Sequence, residues 1–152
     1  MTEKDSSRLD SSTFEELFLR DRPLIDTRAP IEFARGSFPG AVNLPLMTDV
    51  EREQVGTRYK EQGEHAAVAL GHELVSGHVK EDRIAAWIEQ VERNANAALF
   101  CFRGGLRSQT VQAWLASEGY HLPVVDGGYK ALRAYLLNSL EECLSDTSLV
   151  VI

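Results

Sequence analysis

Two cysteines, Cys101 and Cys143, are all the thiol chemistry in this 152-residue sequence. They are too few and too far apart for a disulfide framework or a zinc site, so the fold is expected to rest on its own core; no metal and no cofactor is expected. In a reducing compartment both are free thiols. Long apolar runs are also missing. None approaches the length of a membrane span, and the polar stretch from Met1 to Asp10 lacks the apolar centre of a signal peptide, so the expected location is the cytoplasm, with no membrane partner. Positive charge is the third scarcity. The 16 Lys and Arg face 23 Asp and Glu, a formal net charge of −7. That balance excludes a surface built throughout to grip nucleic acid but leaves room for a local basic pocket. No internal repeat and no low-complexity tract occurs. What is present, 43% hydrophobic and 26% charged residues, is ordinary for a soluble globular domain long enough to bury one core.

Apolar runs alternate with helical patterns along the chain. The first dozen residues are polar and expected to be loose. Thr13-Phe14-Glu15-Glu16 has the capping-box pattern and predicts a short helix to about Leu19. Leu24-Ile25-Asp26 reads as a buried strand ending in a carboxylate, and Pro30 suits the first turn of a second short helix. Phe38-Pro39-Gly40 is a turn before a strand at Ala41–Leu44. From about Leu46 to Asn96 charged and small residues dominate. Within that block Ile84, Trp87, Ile88 and Val91 fall at i, i+3, i+4 and i+7, the pattern of one amphipathic helix. The block is too long for an ordinary connection and reads as a helical insertion or lid. Strands at Ala97–Cys101 and Leu122–Asp126 follow. Each is succeeded by a helix, the first with Val111, Trp114 and Leu115 on one face, the second with Leu132, Tyr135, Leu136 and Leu140. Apolar strands alternating with helices predict an α/β fold, a parallel sheet of about five strands with helices on both faces. The closing run Ser148–Ile152 reads as the start of a further strand, which suggests the first part of a longer protein.

One segment concentrates the chemistry. Cys101-Phe102-Arg103-Gly104-Gly105-Leu106-Arg107-Ser108 joins a buried strand to a helix start, the sheet edge where ligands bind in open parallel sheets. Two glycines let successive N–H groups curl around an anion, and the helix adds its positive end, with Ser108 expected to cap it. Such surroundings favour a thiolate, the nucleophilic form of cysteine. Arg107 is placed to grip an oxyanion with its planar fork, and Arg103 either does the same or faces solvent. The plainer reading of Cys101 as a buried strand-end residue is disfavoured by the glycines and arginines around it. Asp26 and Arg28 sit at the same sheet edge and read as an ion pair or turn anchor, with shaping of the site's mouth as the alternative. Arg52, Arg58, Tyr59, Lys60 and His65 of the insertion either touch a nucleic acid, close over the pocket or form a solvated helix face. His72 and His78 have nothing that places them beside Cys101, and Cys143 reads as a plain helix residue.

The ordered motifs Asp26-Thr27-Arg28, Phe38-Pro39-Gly40-Ala41-Val42-Asn43-Leu44-Pro45, the Cys101 loop and Asp126-Gly127-Gly128-Tyr129 resemble those of a rhodanese domain over residues 13–137. The Cys-x5-Arg spacing of Cys101 to Arg107 is one residue longer than in common sulfurtransferases and is similar to that of phosphatases sharing the fold. Loop length alone leaves sulfur, selenium and phosphate chemistry open. The wider match, including Val55-Gly56-Thr57-Arg58-Tyr59-Lys60, Ala69-Leu70-Gly71-His72 and Gly127-Gly128-Tyr129-Lys130-Ala131-Leu132-Arg133, resembles the N-terminal half of the bacterial tRNA 2-selenouridine synthases. The resemblance implies that Cys101 takes selenium from selenophosphate and holds it as a selenylsulfide. Phe102, Arg103, Gly104, Gly105, Leu106 and Arg107 would bind the anion, with Asp26, Arg28 and Ser108 in support. It further implies tRNA as acceptor, at C2 of a wobble 2-thiouridine, and geranyl diphosphate as a substrate of the full-length enzyme, through an S-geranyl intermediate. Residues 1–12 would then be a flexible N-terminus and 46–96 the insertion. Residues 138–152 would be a linker and the start of a P-loop domain. The alternatives are a Cys-x5-Arg phosphatase, a generic thiosulfate sulfurtransferase, and a rhodanese-like binding module without activity.

Overall fold

The computed structural model describes residues 7–103, 105–148 and 150. Five strands form one parallel sheet: β1 (Arg8–Leu9), β2 (Leu24–Asp26), β3 (Val42–Asn43), β4 (Ala98–Phe100) and β5 (Val124–Val125), in the order β1-β5-β4-β2-β3. Six α-helices accompany them: α1 (Phe14–Leu19), α2 (Pro30–Arg35), α3 (Asp49–Leu74), α4 (Gly77–Arg93), α5 (Leu106–Ser117) and α6 (Gly128–Asp146). The strands have few polar positions because both sheet faces are covered, and successive residues feed opposite sides. Ile25, Leu99 and Val124 pack with Trp87 and Val91 of α4 and Val111 and Leu115 of α5. Leu24, Ala98, Phe100 and Val125 pack with Phe14 and Leu17 of α1 and Leu132 of α6. This is the layered α/β fold that the alternating pattern predicts.

Several boundaries differ from the sequence expectation. The polar start is not all loose, because Arg8–Leu9 adds a strand to β5, with Arg8 Nε 2.6 Å from Asp126 Oδ1. Leu9 packs beneath this edge against the Phe14 cluster. Thr13 makes no side-chain cap on α1; its hydroxyl donates instead to Asp10 O at 2.7 Å, and Asp10 caps a short 3-10 turn at Ser11–Thr13. At the other end α6 continues to Asp146 and carries Leu140 and Cys143, both expected on the last helix. In the expected closing strand, Leu149, Val151 and Ile152 lie outside the described residues.

The insertion is helical, as expected, and its shape follows from one residue. Gly63 has φ 85° and ψ −179°, a conformation essentially restricted to glycine, and it breaks α3. Val55 and Gly71 would stand about 24 Å apart on a straight helix, given a 1.5 Å rise per residue. A Cβ built on Gly71 would instead lie 3.9 Å from Val55 Cγ2. The two halves of α3 therefore fold back against each other. The start of α3 is fixed by a true capping box between Thr48 and Glu51, and Glu51 also pairs with Arg83 of α4 at 2.9 Å.

Candidate active site

Cys101 follows β4, near the middle of the sheet, and is 2% exposed. Two loops at the C-terminal sheet edge hold the backbone around it. From the β2 loop, Thr27 N and Thr27 Oγ1 both donate to Phe100 O at 2.9 Å. From the β5 loop, Tyr129 N donates to Cys101 O at 2.8 Å and Lys130 N to Phe102 O at 3.0 Å. The first amides of α6 lack helical partners and are spent on these carbonyls. Gly127 makes the approach possible: its φ is 73°, and a Cβ there would meet Ala131 Cβ at 2.5 Å.

The thiol has two polar neighbours among the described residues. Ser108 Oγ lies 3.3 Å from Sγ, and Gly105 O accepts from Sγ at 3.9 Å. Ser108 does not cap α5 as expected. The N-cap position belongs to Gly105, which makes no side-chain cap, and Ser108 sits in the first turn, fully buried and turned toward the thiol. The amides of that turn face the loop with the positive end of a twelve-residue helix behind them. Phe102 and Leu106 are exposed, at 38% and 51%. Gly104 lies outside the described residues.

Asp26 and Arg28 form the ion pair that the sequence reading favoured. Arg28 Nη2 is 2.6 Å from Asp26 Oδ2 and Nε is 2.9 Å from Oδ1, with both side chains buried. Arg28 Nη2 also donates to Gly36 O at 2.8 Å, and its guanidinium lies 4.1 Å from the ring centroid of Tyr129. Ser37 donates to Asp26, and Asn43 Nδ2 donates to the carbonyls of Asp26 and Arg28. The Asp-Thr-Arg and Gly-Gly-Tyr motifs are thus one structural knot beneath the loop.

Arg107 is committed differently from the expectation of a free fork. Its Nη1 and Nη2 donate to Glu32 Oε2 and Oε1 at 2.5 and 3.1 Å. A guanidinium has five N–H groups, so among the described residues three remain without a hydrogen bond. Glu32, 9% exposed, also accepts from Ala29 N at 3.0 Å and pairs with Arg52 of α3 at 3.1 Å. Burial alone would raise the Glu32 carboxyl, but the hydrogen bond and charge of Arg107, the Ala29 amide and Arg52 together hold it below its ordinary value. Burial likewise opposes the charge on Arg107, and Glu32 overcomes it. The sequence gives Glu32 no chemical role. Its signals are its place two residues after Pro30, where a first-turn carboxylate caps a helix, and its inclusion in the family-like stretch Asp26–Phe33.

Of the insertion residues singled out, Arg52, Tyr59 and Lys60 line a cleft beside the loop, whereas Arg58 and His65 do not. His72 lines it too, 6.1 Å from Trp114, while exposed His78 pairs with Glu81. Cys143 is exposed on α6. Among the described residues no group of three His, Cys, Asp or Glu could hold a metal, and no helix is long and apolar enough to cross a membrane.

Comparison with known proteins agrees with this geometry. The chain is 56% identical over 142 residues to tRNA 2-selenouridine synthase of Pseudomonas syringae pv. syringae, covering 93% of this chain and 39% of that protein. It is 56% identical over 146 residues to the Bordetella bronchiseptica protein of the same name, covering 95% and 40%. The chain therefore spans about two fifths of the length of these curated relatives. Among solved structures, the N-terminal domain of a Clostridium difficile 630 protein described as ATP/GTP-binding superposes with a TM-score of 0.71 at 30% identity, covering 86% of this chain and 99% of that one. Reduced CoADR-RHD of Bacillus anthracis shares the fold, with a TM-score of 0.54 at 20% identity over 87% of this chain and 17% of that one. The rhodanese-like domain profile matches residues 11–135, and with the cysteine loop at the end of β4 this places the chain in the rhodanese-like domain family.

Proposed function

We propose that this chain is the chalcogen-transferring domain of a tRNA 2-selenouridine synthase, working in the cytoplasm with Cys101 as nucleophile. The observation that carries the reading is the seat of Cys101: a strand-end thiol, 3.3 Å from the Ser108 hydroxyl, at the first turn of α5. Selenophosphate docks through its phosphoryl oxygens on the α5 amides and the uncommitted N–H groups of Arg107. As the Sγ–Se bond forms the Se–P bond breaks, and the electron pair leaves with phosphorus as phosphite. With thiosulfate the same step releases sulfite. The acceptor is C2 of a wobble 2-thiouridine in tRNA, activated as its S-geranyl form: the outer selenium attacks C2 and geranyl thiolate leaves. A small-molecule thiol then attacks Cys101 Sγ, the S–Se bond breaks to free selenouridine, and a second thiol reduces the resulting mixed disulfide. Geranyl transfer from geranyl diphosphate and most of the tRNA contacts belong to the part of the relatives, about three fifths of their length, that this chain does not match. The acidic charge of −7 fits that division.

Intact-mass spectrometry of wild type and Cys101→Ser after exposure to selenophosphate or thiosulfate tests the reading. The expected result is one selenium or sulfur atom gained by wild type and none by the variant. A gain that persists in Cys101→Ser, or no gain with either donor, overturns it. A Cys-x5-Arg phosphatase needs a general acid beside the leaving oxygen. Among the described residues the hydrogen-bonding neighbours of Sγ are Ser108 Oγ and Gly105 O, neither of them a carboxyl or imidazole. Robust turnover of an aryl phosphate would nevertheless favour that chemistry over chalcogen transfer.

A further inference from the structure

The folded-back insertion leaves a cleft of about 1280 Å³ between α3 and the Cys101 loop. One wall comes from both halves of α3, the other from Arg103, Gly105, Leu106 and Arg107 with Trp114 of α5. Small-molecule sites span roughly 300–1,000 Å³. An ion of phosphate size needs only the loop amides, so the cleft is far larger than the donor requires. A transferase has a second substrate, and it must reach the same loop.

The chemistry of the walls says which part of that substrate fits. Asp49 accepts from Ile31 N, while Arg52 and Arg107 are paired with Glu32. The other charged groups of the lining are Lys60 and Arg103 against Glu53 and Glu64, which balance. A phosphate backbone gains little from a neutral wall. The floor is aliphatic and aromatic, with Met47, Val55, Val75 and Trp114, and Tyr59 is 55% exposed. Flat apolar surface with an aromatic ring beside it replaces the stacking that a nucleobase loses when it is turned out for chemistry.

We propose that this cleft is the acceptor pocket, taking the uridine ring of the RNA turned out of its stack, with Tyr59 as the ring against which a base stacks. This rests on the reading that RNA is the acceptor. Tyr59 is a binding residue here, and the insertion exists to build the pocket.

The test uses this chain and a short anticodon stem-loop RNA carrying S-geranyl-2-thiouridine at the wobble position, with binding followed by fluorescence anisotropy. Tyr59→Ala should weaken binding about 5- to 150-fold, the range for one lost base–aromatic stack, and Tyr59→Phe should retain it. An RNA lacking the base at that position should lose affinity by a similar factor. The salt dependence should be shallow, because few phosphates are contacted. Tyr59 is exposed, and unchanged circular dichroism of Tyr59→Ala would confirm an intact fold. Equal binding by wild type and Tyr59→Ala, equal binding of the intact and abasic RNAs, or no measurable binding by wild type overturns the pocket. Selenium loading of Cys101 is measured in parallel on wild type. Loading without Tyr59-dependent binding removes the pocket alone, whereas absence of loading removes the chemical reading.

Discussion

Arg28→Ala removes one half of a buried ion pair and leaves the other in place. In the folded protein Arg28 is 2% exposed and Asp26 is 0% exposed. After the substitution Asp26 keeps the Arg28 amide at 3.0 Å and the Ser37 hydroxyl at 3.0 Å, and the charge of Arg107 at longer range, but among the described residues no cation in direct contact. Breaking a buried pair from one side costs about 3–5 kcal/mol. The lost contact with the Tyr129 ring adds about 0.5–2 kcal/mol, only partly additive because the same guanidinium serves both. Loss of 3 kcal/mol or more is a large fraction of the roughly 5–15 kcal/mol that keeps a domain folded. Urea unfolding followed by circular dichroism measures it. With a slope of about 1–3 kcal/mol/M the midpoint should fall by about 1 M or more. The double variant Asp26→Leu/Arg28→Met removes both charges and should recover most of the loss, since a buried pair is often replaceable by apolar residues. A loss below about 1 kcal/mol in Arg28→Ala, or a double variant worse than the single, would refute the assignment of this pair as the anchor beneath the loop.

Further outcomes follow from the same contacts. Glu32 and Glu51 are both held below the ordinary carboxyl value of 4.5, so their ion pairs stabilise the fold above that pH and stop doing so as pH falls through the lowered values. Glu32→Gln should therefore flatten the pH dependence of the urea midpoint between neutral pH and about pH 3, while parallel curves for variant and wild type would contradict the role of the carboxylate. Gly63→Ala should destabilise by about 1–3 kcal/mol because φ 85° with ψ −179° excludes a side chain; an unchanged thermal midpoint would mean α3 can run past residue 63. Ser108→Ala should slow alkylation of Cys101 by iodoacetamide several-fold at neutral pH with the midpoint within about 1 kcal/mol, since one hydrogen bond to sulfur is lost. An unchanged rate would show that the hydroxyl serves Gly105 O alone.

The committed Arg107 fork bears on how the loop handles anions. Glu32 joins three elements, since it caps α2, fixes Arg107 after the loop and holds Arg52 on the insertion. A guanidinium fixed in this way keeps three donors and gives up conformational freedom before any anion arrives, which lowers the ordering cost of binding.

Much of this molecule follows from the chain's own pattern. The apolar runs at Leu24–Asp26 and Ala97–Cys101 and the 3.6-residue spacing of Ile84, Trp87, Ile88 and Val91 specify strands and a helix through local periodicity. The place of Cys101 and its glycines, between a strand and a helix, marks the site for the same reason: backbone direction at a strand end is a local property. Tertiary structure decided what local pattern cannot encode. Arg8–Leu9 is too short and polar to declare itself and becomes a strand only because β5 offers an edge. Ser108, three residues past the glycine pair, suits a cap by sequence but turns to sulfur once α5 starts at Leu106. Arg107 meets a carboxylate 75 positions away, and the two halves of α3 build a cleft wall only after Gly63 folds them together. Each of these depends on partners far apart in the chain, whose encounter is set by packing and charge in three dimensions rather than by neighbouring residues.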